Sequence, residues 1–280
     1  MKKPERIGPY TLLKRLGPGE GSRVWLANAG LKGDKVALKL VRPDDEAGLA
    51  AIMHEVELCA NFDHANVVRM YECGSAKGCT WMAMGLVAGP PGPPAALSLA
   101  NFRQLLMALV HVHAHHVIHA DINMSNLLID ANGDLRLADF GHARRPGQAA
   151  VKGYGTPHCM PPEQLTGQAL DARADLFSAG VVLYEILTGI HPFRECTPDK
   201  MKDSPPPPSI VASGLGTGFD DVCKRALSGE RAERYQNAFE FLGAFDAACR
   251  HGCAPLPPVA ARSQATWPAP RSGWRKIAQQ

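Results

Sequence analysis

The sequence has no apolar run long enough to cross a bilayer. Its greasiest stretch, Leu176 to Ile190, is too short and carries Glu185 inside it. It has no Cys-x-x-Cys pair, so its eight cysteines form neither a zinc-site nor a disulfide pattern. They read as mostly buried thiols in a reducing compartment. Charge imbalance is small: a formal +3 over 280 residues gives no electrostatic footprint for nucleic acid. The amino terminus, Met1 to Arg6, is charged with no apolar run behind it and does not read as a secretory signal. With 45% hydrophobic and 20% charged residues, disorder is excluded for most of the chain. A soluble, cytoplasmic protein of one or two domains is expected.

What is present falls into two parts. Tyr10 to Leu16 and Arg23 to Ala27 alternate as strands around Gly17-Pro18-Gly19-Glu20-Gly21-Ser22. Such a turn is either a plain hairpin or a flap whose backbone can approach phosphate oxygens. Val36 to Leu40 is a third strand, with Lys39 set among apolar neighbours, and a charge there needs a partner. Ala47 to Cys59 has helical spacing, with Leu49, Ile52, Val56 and Cys59 near one face, and it offers Glu55 or Glu57 as that partner. Asn66 to Tyr71 and Thr80 to Met84 read as further strands.

Ala88 to Pro94 is a proline–glycine break and marks a domain connection. Helices are expected at Leu99 to His115, with Phe102, Leu105, Leu106, Leu109 and Val112 inward, and at Asp175 to Leu187, buried nearly all round. Further helices are expected at Phe219 to Leu227 and Ala238 to Cys249, with an extended spacer at Pro205 to Pro208. Beyond Ala254 the chain turns Pro-, Ala- and Arg-rich, a composition suited to a floppy tail. Its Trp267 and Trp274 are a possible partner-docking element.

The chemistry concentrates in His119-Ala120-Asp121-Ile122-Asn123-Met124-Ser125-Asn126, followed by Asp139-Phe140-Gly141. This spacing can set two carboxylates and an amide around one divalent metal. Asp121 then faces an incoming hydroxyl while Asn126 and Asp139 face the metal. The histidines at 111, 113, 115, 116 and 119 have no cysteine or carboxylate on their helix face and read as a packed or solvated helix end.

Glycine flap, strand lysine, helical glutamate, Asp-x-x-x-x-Asn and Asp-Phe-Gly, in that order, resemble the eukaryotic-type (Hanks) serine/threonine protein kinases over roughly Tyr10 to Ala248. The resemblance implies an α+β bilobal fold: a small β-rich lobe with one helix (1–88), a larger helical lobe (89–253) and the tail (254–280). It implies ATP and Mg2+ as cofactors and a protein substrate, with no nucleic acid and no transmembrane segment. By this resemblance Gly17, Gly19 and Val24 form the flap and its adenine contact, although Ser22 stands where the third glycine is usual. Lys39 holds the α- and β-phosphates, oriented by Glu55. Met84 is the gatekeeper, Gly85 and Val87 meet the adenine edge, and Ala37 and Leu128 sandwich the ring. Asp121 is the catalytic base, and Asn126 and Asp139 are the magnesium ligands. Gly155-Thr156-Pro157 through Glu163 resembles the substrate-docking segment, with Asp175 bracing the catalytic loop and Arg234 pairing with Glu163.

Two positions in the catalytic loop depart from the family. Ala120 replaces an arginine that clamps a phosphorylated activation loop. Between Asp139 and Glu163 the only hydroxyl side chains are Tyr154 and Thr156. Activity without loop phosphorylation is therefore expected. Asn123 replaces a lysine that touches the transferring phosphate, which implies a slow enzyme. An ATP-binding pseudokinase is the alternative that these two departures favour. A small-molecule phosphotransferase fits the catalytic loop but not the docking segment.

Overall fold

The computed structural model describes residues 5–16, 23–30, 34–87, 97–150, 156–193, 197–198, 201, 203–212 and 214–252. Gly17, Gly19, the proline–glycine break, Tyr154, Gly155 and the tail lie outside them. Two compact units divide the chain. One is Met1–Pro90 with Leu127–Ala143, and the other is Pro91–Asn126 with Arg144–Gln280.

The first unit is built on an antiparallel sheet of six strands: β1 (Arg6–Ile7), β2 (Tyr10–Leu16), β3 (Val24–Ala29), β4 (Asp34–Val41), β5 (Met70–Ala76) and β6 (Cys79–Gly85). Their order is β1-β2-β3-β4-β6-β5. Side chains alternate across it. Ile7, Tyr10, Leu12, Val36, Leu38, Trp81 and Ala83 pack on one face. On the other, Val41, Ile52 and Met82 form a smaller cluster beneath helix α1 (Glu46–Cys59). Asp45 caps that helix by accepting the Gly48 N–H at 2.8 Å. A short hairpin, β7 (Leu127–Ile129) and β8 (Leu135–Leu137), completes the unit. It is tied to the chain after α1 by Asn66 Nδ2, which donates to the Leu135 carbonyl at 2.9 Å.

The second unit is helical: α2 (Leu99–Ala114), α3 (Pro162–Leu165), α4 (Arg173–Thr188), α5 (Pro208–Val211), α6 (Asp220–Ala226) and α7 (Ala238–Gly252). Ser98 and Asn101 form a reciprocal capping box at the start of α2. The inner face of α2 sets Phe102 against Phe241 and Phe245 of α7. Helix α4 is buried on every side, including Asp175 and Glu185, and ends on Gly189 in the left-handed conformation at φ +75°.

Four local expectations change. The strand expected at Asn66–Tyr71 lies at Met70–Ala76, and Val67 makes only an isolated bridge to Leu137. Leu49, expected inward on α1, is exposed, and Gly48, Ile52, Glu55, Leu58 and Cys59 form the inner face instead. Pro208 opens a helical turn, where a proline at N1 loses no hydrogen bond, so the extended spacer ends before it. Of the six described cysteines, all free thiols, Cys59, Cys159 and Cys223 are buried while Cys73 is exposed.

Candidate active site

In the first unit the strand lysine meets its partner. Lys39 lies opposite Val24 of β3 and Met82 of β6, and Ala37 lies opposite Met84, so all five share the sheet face that α1 covers. Lys39 Nζ is 2.6 Å from Glu55 Oε2 and 3.2 Å from Asp139 Oδ1. Of the two candidate glutamates, Glu55 faces inward and makes the contact. Burial pulls the Lys39 ammonium toward neutrality, but the Glu55 and Asp139 carboxylates outweigh it and hold its pKa above the usual lysine value.

Asp139 adopts φ +61°, a conformation that few non-glycine residues hold without outside support. Its Oδ1 accepts from Lys39 and from the Gly141 N–H at 3.3 Å. A Cβ at Gly141 would sit 3.2 Å from that Oδ1 and 3.4 Å from Lys39 Nζ, so glycine permits the close approach. Phe140 is buried against Phe62, with ring centroids 5.1 Å apart. Gly85 ends β6 with its N–H donated to the Arg69 carbonyl at 2.8 Å, and Val87 follows just beyond the strand. Leu128 lies on β7 opposite Arg136 of β8.

In the second unit the catalytic-loop residues converge through hydrogen bonds. Asn126 Nδ2 donates to Asp121 Oδ2 at 2.9 Å and to the Asp121 carbonyl at 2.8 Å. The other carboxylate oxygen, Oδ1, accepts the Thr156 N–H at 3.0 Å. Asn123 Nδ2 donates to the Asp121 carbonyl at 3.1 Å and to Thr156 Oγ1 at 3.0 Å, and its Oδ1 accepts the Ser125 N–H at 2.9 Å. With its NH2 turned to Asp121, Asn126 presents Oδ1 as an oxygen donor, the kind of ligand a hard divalent cation takes. Asp139 is likewise an oxygen donor, with its side chain half exposed. Each of these oxygens, taken singly, is a donor type that magnesium accepts.

Behind the loop, Asp175 Oδ2 accepts the His119 N–H and Oδ1 the Ala120 N–H, both at 2.8 Å. Arg234 lies fully buried and holds Glu163 through a two-pronged contact at 2.7 and 3.0 Å. Two further residues support the loop in ways the sequence does not show. Gln164 donates to the Ala120 carbonyl at 2.6 Å, and His113 Nε2 lies 2.8 Å from Asp175 Oδ2. His113 reads in the sequence only as part of a packed or solvated helix end, and Gln164 carries no signal there.

No helix among the described residues is long and apolar enough to cross a membrane. Residues 10–205 match the family model described as protein kinase domain. The chain is 32% identical over 266 residues to a probable serine/threonine-protein kinase PknB of Bifidobacterium longum, covering 84% of this chain and 39% of that protein. It is 31% identical over 262 residues to serine/threonine-protein kinase PknB of Mycobacterium tuberculosis, covering 82% and 41%. Against serine/threonine-protein kinase PknD of the same organism it is 30% identical over 265 residues, covering 86% and 40%. The chain thus spans about two fifths of the length of these curated relatives. With its β-rich and helical units and this match over most of its length, the chain belongs to the protein kinase domain family, of the Hanks type found in bacteria.

Proposed function

We propose that the protein is an ATP- and magnesium-dependent kinase that phosphorylates serine and threonine hydroxyls of proteins, without needing phosphorylation of its own activation loop. The observation that carries this reading is the fixed geometry of Asp121: both carboxylate oxygens and its carbonyl are held by Asn126, Asn123 and Thr156. A base so restrained meets a hydroxyl in one orientation, and orientation is the larger part of what phosphoryl transfer asks of a protein.

In this reading Asp121 orients the substrate hydroxyl and accepts its proton. Lys39, kept charged by Glu55 and Asp139, grips the α- and β-phosphates. Val24, Ala37, Met84, Gly85, Val87 and Leu128 enclose the adenine, and Asn126 and Asp139 hold magnesium. When bound, magnesium neutralises charge on the phosphate oxygens. Asn123 supplies a neutral hydrogen bond where a cation is usual, so turnover is slow. The free thiols, one of them exposed, suit a cytoplasmic setting. The tail beyond Ala254 is a candidate partner-docking element.

The test compares wild type with Asp121→Asn. Both should show a melting temperature raised by ATP and magnesium, and only the wild type should transfer γ-labelled phosphate to a basic protein. Equal transfer by both would remove Asp121 from the mechanism.

A further inference from the structure

Ala120 is the residue next to the proposed base, and its backbone takes φ +60°. A left-handed alanine costs free energy that surrounding contacts must offset. Its side chain is a methyl packed with Ile118, Leu170 and Ala174, so it has no polar atom to anchor itself. The restraint comes from outside, on both edges of the residue. Its N–H goes to Asp175 Oδ1 at 2.8 Å, and its carbonyl accepts from Gln164 Nε2 at 2.6 Å. Ala120, Gln164 and Asp175 are all buried.

Asp175 is itself backed by His113 of α2. Both Asp175 oxygens accept backbone N–H groups, so His113 Nε2 is assigned as the donor across their 2.8 Å contact. The other ring nitrogen, Nδ1, is buried without a hydrogen-bond partner among the described residues. A solvated histidine at a helix end would keep Nδ1 in water. Here desolvating it is unfavourable, and the contact with Asp175 offsets that cost.

We infer that Gln164 and His113 are positioning residues that clamp the Ala120 peptide from opposite sides and so fix where Asp121 points. This rests on the kinase reading above for its effect on rate, though not for its effect on loop order. Gln164 lies in α3 at the end of the docking segment and His113 lies in α2, so two separate elements hold one strained residue. The loop is thereby set by buried amide and imidazole groups rather than by a phosphate clamp.

The test uses the full chain as wild type, Gln164→Met, His113→Leu and His113→Gln. It measures kcat, KM for ATP, melting temperature and hydrogen exchange at the amides of residues 119 and 120. Displacement of a catalytic group by about an ångström costs up to roughly 10²-fold. Gln164→Met and His113→Leu are expected to lose kcat on that scale with KM for ATP unchanged. His113→Leu should also exchange faster at both amides, and His113→Gln, which keeps a donor at a similar reach, should recover both properties. Gln164→Met conserves volume and stands as a second variant should His113→Leu unfold. Wild-type kcat and wild-type exchange in these two variants would overturn the clamp, as would a His113→Gln variant no better than His113→Leu. If the wild type transfers no phosphate, the kinase reading fails, and amide exchange alone then decides whether the clamp exists.

Discussion

Asn123 Nδ2 lies 3.0 Å from Thr156 Oγ1, joining the catalytic loop to the docking segment through a neutral amide. The same side chain accepts the Ser125 N–H, so Asn123 braces its own loop. Asn123→Ala is expected to lower kcat and leave Thr156 Oγ1 without this donor. Asn123→Lys should raise kcat by up to about 10²-fold, the usual worth of one electrostatic contact to a developing charge. Steady-state rates with a basic protein substrate check both directions. A lysine variant slower than wild type would show that bracing outweighs charge.

Thr156 also bears on regulation. Its N–H is held by Asp121 and its hydroxyl by Asn123, and residue 120 carries no guanidinium to receive a phosphate. Phosphatase treatment should leave the initial rate unchanged, and a large loss of rate would contradict activation-loop independence.

The buried Arg234–Glu163 pair makes a stability prediction. Arg234 also donates to the carbonyls of Ser228, Gly229 and Arg173, so its loss strands several acceptors together with the Glu163 carboxylate. Breaking such a pair costs about 3–5 kcal/mol. Arg234→Met should lower the urea midpoint by a corresponding amount, and a shift worth less than about 1 kcal/mol would show that Arg231, already 3.6 Å from Glu163, compensates for the loss.

Helix α4 carries a pH-dependent cost. Burial raises the Glu185 carboxyl from 4.5 to about 7. The folded state therefore holds its proton more tightly than the unfolded chain does. The stability linked to that proton is fully present below pH 4.5 and is lost as pH rises to about 7. At about 1.4 kcal/mol per pKa unit, roughly 3 kcal/mol is at stake. Glu185→Gln should match wild type near pH 4.5 and exceed it by this order at pH 8. A stability difference independent of pH would refute the linkage.

The elements that sequence reasoning placed well have strong apolar periodicity. The inner face of α2 and the all-round burial of α4 follow from where leucine, valine and phenylalanine recur. Lys39 was conspicuous because a cation inside an apolar strand needs a counter-charge, and Glu55 supplies it at 2.6 Å. Strand β5 leaves little periodic signal because it is an edge strand with a polar sequence, Glu72 to Ala76, and the apolar run lies before it. What fixes its register is the tight turn at Lys77 and Gly78, both at positive φ, which pairs Ala76 with Cys79. The left-handed backbone of Ala120, and Gln164 reaching it from a segment 44 residues away, leave no trace in composition or period. Such features appear only once the chain is folded.

The most direct measurement is phosphoamino-acid analysis of a protein substrate incubated with γ-labelled ATP and magnesium, beside Asp121→Ala and Asp139→Ala. Label on serine or threonine that is absent with both variants is the predicted result. No label with wild type, while ATP still raises its melting temperature, would contradict the account and leave a nucleotide-binding protein without catalysis.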